Sequence, residues 1–179
     1  MEPWYTKIAG LIPRKFVNGA VIVAVLLVIW YFGESDSSVD ETVRDTTGEV
    51  IEAGTVGALI LQVGDCLVLP NKLLDEPGTV FTDLEVVPCI ELHDAQIGGE
   101  YVMDDGEYPG DDFFQNSEEI EKVCIDKYFE FTNVNLTDSP HTLDWFYPTE
   151  DGWLQLGDRT VQCLFMMQDG GKLGASLEG

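Results

Sequence analysis

The chain has 179 residues, with 33 acidic against 9 basic side chains and a formal net charge of -24. That length fits one modest domain plus appendages, and the charge excludes nucleic acid as the main partner, because phosphate recognition needs clustered Lys and Arg. A hydrophobic fraction of 45% excludes a wholly disordered acidic chain.

Residues 16–32 read FVNGAVIVAVLLVIWYF, a run without a charge. As a helix rising about 1.5 Å per residue it reaches roughly 25 Å, slightly short of a hydrocarbon core of about 30 Å. Arg14 and Lys15 at one end and Trp30 and Tyr31 at the other suit the two membrane interfaces, so one transmembrane helix is expected. Lys7, Arg14 and Lys15 precede it and Glu34, Asp36, Asp40 and Glu41 follow it, which places segment 1–15 in the cytoplasm and the rest outside the cell. The exit through Trp30, Tyr31 and Phe32 lacks the small residues of a signal-peptide cleavage site. An uncleaved anchor is the reading, with Asn18 and Gly19 permitting close approach of a partner helix. Beyond the span lie 32 acids and 6 bases. Such a field repels anionic lipid and attracts a basic protein surface.

Residues 33–55 hold Ser, Thr, Gly and seven acids against Arg44 and read as a solvated acidic stalk. The folded part is expected over 56–168, followed by a flexible Gly-rich tail, 169–179. Within it, 58–69 reads as strand, turn, strand, and 81–89 and 95–103 as further strands. From Glu100 to Glu121 there are nine acids and no base, so this stretch must face solvent. Residues 116–131 are the best helix: Asn116 and Glu119 resemble a capping box, and Ile120, Val123, Cys124, Ile125, Tyr128 and Phe131 keep close to helical spacing. Segments 143–147 and 160–167 read as closing strands. The expected fold class is α+β, a small disulfide-stabilised domain with a mostly antiparallel sheet and one main helix behind the transmembrane segment.

Cys66, Cys89, Cys124 and Cys163 all lie in the outer domain, and an even count in an oxidising compartment argues for two disulfides. Three pairings are possible. Cys66 with Cys89 and Cys124 with Cys163 is favoured, since sequential strands tend to be neighbours and a helix commonly packs on the final strand. Metal binding through cysteine is the competing reading, but there is no C-x-x-C pair, and Cys89 and His93 flank residues that do not read as helix.

The catalytic inventory is thin. His93 and His141 are the only histidines, and no serine sits in a Gly-x-Ser-x-Gly elbow. His93 beside Asp94 reads as a strand-end hydrogen-bonding pair and His141 as a surface residue. Asp104, Asp105, Glu107, Asp111 and Asp112 form the sharpest local cluster. They lack the spacing and terminal glutamate of a calcium loop, so a partner-binding acidic loop is preferred to a metal site. Trp145, Phe146, Tyr147 and Trp153 read as core aromatics before a glycan platform. The Gly-Asp turns at 64–65 and 157–158, each entering a cysteine-bearing strand, read as ordinary turns.

In order, the elements VGDCL at 63–67, VVPCIELHDAQ at 86–96, Cys124 on a helix, YPTEDGW at 147–153 and LGDRTVQCL at 156–164 resemble the actinobacterial septum-formation-related domain of single-pass envelope proteins. The likeness covers about 100 residues and departs at Gln96, where the family pattern has glutamate. It implies an envelope location and points toward the septum, with no chemistry attached. The layout of one anchor and an acidic outer domain also resembles the small accessory subunits of actinobacterial cytochrome bcc-oxidase supercomplexes. Together these give the functional expectation: a non-enzymatic accessory or scaffolding subunit of an envelope membrane complex, with one membrane span, subunits of that complex as partners and no cofactor. The alternative is an extracytoplasmic binding module for calcium or cell-wall glycan.

Overall fold

A computed structural model describes residues 42–70 and 80–179. The expected span 16–32, its interface residues Arg14, Lys15, Trp30 and Tyr31, and the first part of the stalk lie outside the described residues. Among the described residues no helix is long and apolar enough to cross a membrane.

The domain begins earlier than expected. Strands β1 (Val43–Arg44) and β2 (Val50–Glu52) pair antiparallel around a tight turn. The Asp45 carboxylate accepts from the Thr47 and Glu49 amides and the Thr47 hydroxyl, and Gly48 takes φ 95°. These bonds to its ionised form, the Thr47 hydroxyl first, hold the Asp45 carboxyl below its ordinary range. Val50 of β2 is buried in the apolar core. Residues 42–55 are therefore part of the domain and no solvated stalk: local turn chemistry and one buried valine outweigh a polar composition.

The main sheet has six strands, β3 (Gly54–Gly57), β4 (Cys66–Val68), β5 (Asp83–Val87), β6 (Ala95–Val102), β7 (His141–Phe146) and β8 (Thr160–Met167), in the order β3-β5-β4-β6-β8-β7 with every pairing antiparallel. The 58–61 part of the first expected strand is a 3-10 turn, Ala58–Ile60, which Gln162 fixes by donating its side-chain N–H to the Leu61 carbonyl. The alternation along β8 explains the layering. Val161, Cys163 and Phe165 enter a core beneath the helix, and Leu164 enters the opposite one with Leu67, Val86 and Ile97. A near-continuous apolar strand is what a sheet buried on both faces requires.

Two helices follow β6. Helix α1 (Asp111–Gln115) is one turn with Phe114 buried, and α2 (Glu118–Thr132) is the main helix. The cap of α2 is Ser117, one residue later than expected, whose hydroxyl accepts from the Ile120 amide at 3.3 Å; Asn116 instead closes α1. Glu118, Glu119 and Glu121 stand in the first turn of α2, where the helix dipole favours them. Asn133 ends it at φ 57°, the left-handed cap that asparagine tolerates. Ile120, Cys124 and Tyr128 face the sheet, and α2 lies across β6, β7 and β8.

Both disulfides form as favoured, Cys66–Cys89 and Cys124–Cys163, with Cα–Cα distances of 5.3 and 5.4 Å. The first fastens the turn after β5 to β4, and the second fastens α2 to β8.

The expected flexible tail, 169–179, is also corrected. Leu173 is 5% exposed and exchanges backbone hydrogen bonds with His93 at 3.0 and 2.8 Å, while the Gly179 amide donates to the Phe131 carbonyl. A glycine-rich segment with one buried leucine is held here by backbone bonds, which composition does not register.

Candidate functional site

The residues that give the sequence elements their character are folded inward. Gly64 turns the chain at φ 101°, and Asp65 behind it is almost fully buried. Its carboxylate accepts from the Gln62 amide at 2.8 Å and takes both arms of the Arg44 guanidinium at 2.5 and 2.9 Å. That bidentate bond to Asp65 raises the Arg44 pKa above its already high value. Arg44→Met should therefore lower stability by about 2 kcal/mol in chemical denaturation, below the roughly 3 to 5 of a fully buried pair, because the Arg44 side chain keeps 20% exposure. Adding Asp65→Asn should recover part of the loss. An unchanged denaturation midpoint for Arg44→Met would mean that the β1–β2 hairpin is not part of the cooperative unit.

His93 is fully buried, and its Nδ1 lies 2.8 Å from the Glu91 carbonyl. A carbonyl only accepts, so Nδ1 carries the proton and Nε2 is a bare acceptor, buried without a partner among the described residues. Burial pulls the His93 pKa below its ordinary value, which keeps the ring neutral. The expected pairing with Asp94 is replaced by this backbone contact. Asp94 itself accepts from the Leu69 amide at 2.8 Å and from Lys172 at 2.6 Å. Gln96 donates to the Gly64 carbonyl at 3.1 Å and to Ser176 Oγ at 3.0 Å, and accepts from the Leu177 amide at 2.7 Å. A glutamate could not donate to that carbonyl, so the amide suits this place. The VGDCL and HDAQ elements thus meet around Cys66–Cys89, with the chain's last residues closing over them.

The acidic loop remains outside. Asp104, Asp105, Glu107, Asp111 and Asp112 are all exposed. The loop is anchored from below: Trp153 Nε1 donates to the Gly106 carbonyl at 2.9 Å, and the Arg159 guanidinium lies 3.8 Å over the Trp153 ring. Arg159 also approaches Asp105 at 3.4 Å, but with Asp105 97% exposed this pair adds little. The Tyr108 hydroxyl donates to the Asp111 carboxylate, and burial raises the Tyr108 pKa. Among the described residues, no group of three or more His, Cys, Asp or Glu side chains is gathered closely enough to hold a metal ion.

The four aromatics lie in the interior or at its edge. Trp153 is buried, Tyr147 stacks on Phe114 at 4.7 Å, Phe146 meets Phe81 at 4.5 Å, and Trp145 donates to the Phe114 carbonyl at 2.8 Å. His141 is no lone surface residue: the Tyr128 hydroxyl lies 2.6 Å from its Nδ1, and burial lowers its pKa.

One surface feature escaped the sequence. Ile125, which reads with the apolar spacing of α2, and Phe129, which lies outside that set, both point away from the core, 40% and 49% exposed. With Leu136 they floor a groove between α2 and the 3-10 turn Leu136–Asp138. The available signal was an excess of apolar positions, wider than one buried face of a helix needs.

Compared with known protein families, characterised proteins and solved structures, the chain matches none.

Proposed function

We propose that this chain is a non-enzymatic, membrane-anchored accessory subunit of a larger cell-envelope complex, working through its acidic outer surface. One observation carries the reading: the distinctive polar residues Asp65, Asp94 and Gln96 are committed to internal bonds, as is the ring Nδ1 of His93. What the domain offers to its surroundings is carboxylates and exposed aliphatic side chains, the materials of a contact surface. The apolar run 16–32 supports a single span with the domain outside the cytoplasm. The two disulfides suit an oxidising compartment.

The two sequence resemblances supply two hosts, a respiratory cytochrome bcc-oxidase supercomplex and the division septum. Gentle detergent extraction of the tagged full chain, with mass spectrometry and a haem spectrum of the purified material, tests the reading and separates them. Envelope membrane subunits in fixed ratio are expected. Haem absorbance selects the respiratory host and division proteins the septal one. A chain that purifies alone overturns the accessory reading, and calcium-dependent heat in calorimetry of that material would put the binding module in its place.

A further inference from the structure

We propose that the groove between α2 and the Leu136–Asp138 turn docks a basic, amphipathic segment of a partner subunit. This deepens the accessory-subunit reading and rests on it. The groove has a volume of about 540 Å³, and its floor is Ile125, Phe129 and Leu136. Asp126 and Glu130 line the helix side and Asn135 the other. Ile125 and Phe129, one helical turn apart, lie side by side on one face of α2 and offer an apolar strip on which the apolar face of an amphipathic helix can pack.

The walls are fixed before anything binds. Cys124, next to Ile125, is bonded to Cys163 of β8. Across the groove, the Ser139 amide and hydroxyl both donate to the Leu136 carbonyl, at 3.1 and 2.9 Å. Preorganised walls reduce the entropy cost of docking.

Charge selects the occupant. Helix α2 carries five acids against Lys122 and Lys127. Glu130 is matched by Lys127 at 2.8 Å, while Asp126 pairs with no cation among the described residues. A second copy of this chain would bring its own net charge of -24, and anionic lipid would be repelled in the same way. A segment with apolar side chains on one face and Lys or Arg on the other satisfies both floor and rim.

The test uses the full chain in nanodiscs of neutral lipid, with empty nanodiscs as control. The probe is a fluorescent helical peptide with Leu at i, i+3, i+4 and i+7 and Lys elsewhere, read by anisotropy. A peptide of the same composition with its Leu residues scattered should bind about tenfold more weakly. Replacing both Ile125 and Phe129 by Ser should weaken the amphipathic peptide by about tenfold or more. Both side chains are exposed, so intact disulfides and unchanged circular dichroism will show that the variant folds. Asp126→Asn should reduce the salt dependence of binding. Equal binding of the two peptides, or unchanged binding by the double variant, overturns the groove. If wild-type chain still co-purifies with envelope subunits in that case, the accessory reading stands without it; if it purifies alone, that reading falls independently of the peptide result.

Discussion

Replacing Cys124 and Cys163 together with alanine is expected to lower the unfolding free energy by about 4 kcal/mol. The bridge spans 39 residues, and the loop-closure entropy it removes from the unfolded chain is worth roughly that much at room temperature. The Cys66–Cys89 bridge, across 23 residues, should be worth about 3.5 kcal/mol on the same argument. The larger effect also has a specific location. Cys124 and Cys163 are fully buried beside Tyr128 and Phe165, so without the bridge α2 rests on β8 by packing alone. Chemical denaturation of oxidised wild type and of each double variant measures the difference. A loss below about 1 kcal/mol for the 124/163 pair would show that unfolded-state structure already brings α2 to the sheet.

Gly98→Ala should cost about 3 kcal/mol, the upper part of the range for overpacking. Gly98 sits at the irregularity of β6 between Ile97 and Gly99, opposite β8, and a Cβ there would occupy the space of the Phe165 ring. That ring has nowhere to go: it is fully buried, with Tyr128 edge-on at 4.9 Å and Phe131 at 6.1 Å. Phe165→Leu alone should cost about 1 kcal/mol, as a near volume-conserving change. Combined with Gly98→Ala it should be less damaging than the sum, since the smaller side chain makes room. Strict additivity in a double-mutant cycle would mean that the backbone of β6 moves aside and the contact is not what requires glycine.

The strands 95–102 and 160–167 were legible because each is bounded by turn residues and long enough to show its apolar pattern. The cysteine pairing followed from neighbouring elements. Composition failed at both ends of the domain. The β1–β2 hairpin reads as stalk because its hold on the core is Val50 and one ion pair, Arg44 with Asp65, and long-range ion pairs leave no local pattern. The last residues read as tail because they are held through backbone groups and Gln96. In α2 the helix itself was legible, but Ile125 reads with the inward positions and Phe129 does not stand out, because only the sheet fixes which face is covered.

The order of the bridges bears on biogenesis. First cysteine pairs with second and third with fourth, so neither loop encloses or crosses the other. On the proposed topology the part beyond residue 32 is exported from its span-proximal end, which would present Cys66 and Cys89 before Cys124 arrives, so that simple oxidation of each thiol with its predecessor gives the native set. Reshuffling of mixed disulfides, which takes seconds to hours without an isomerase, is not a required step. On that topology maturation would need an oxidant and no isomerase, with α2 locked onto β8 once Cys163 emerges.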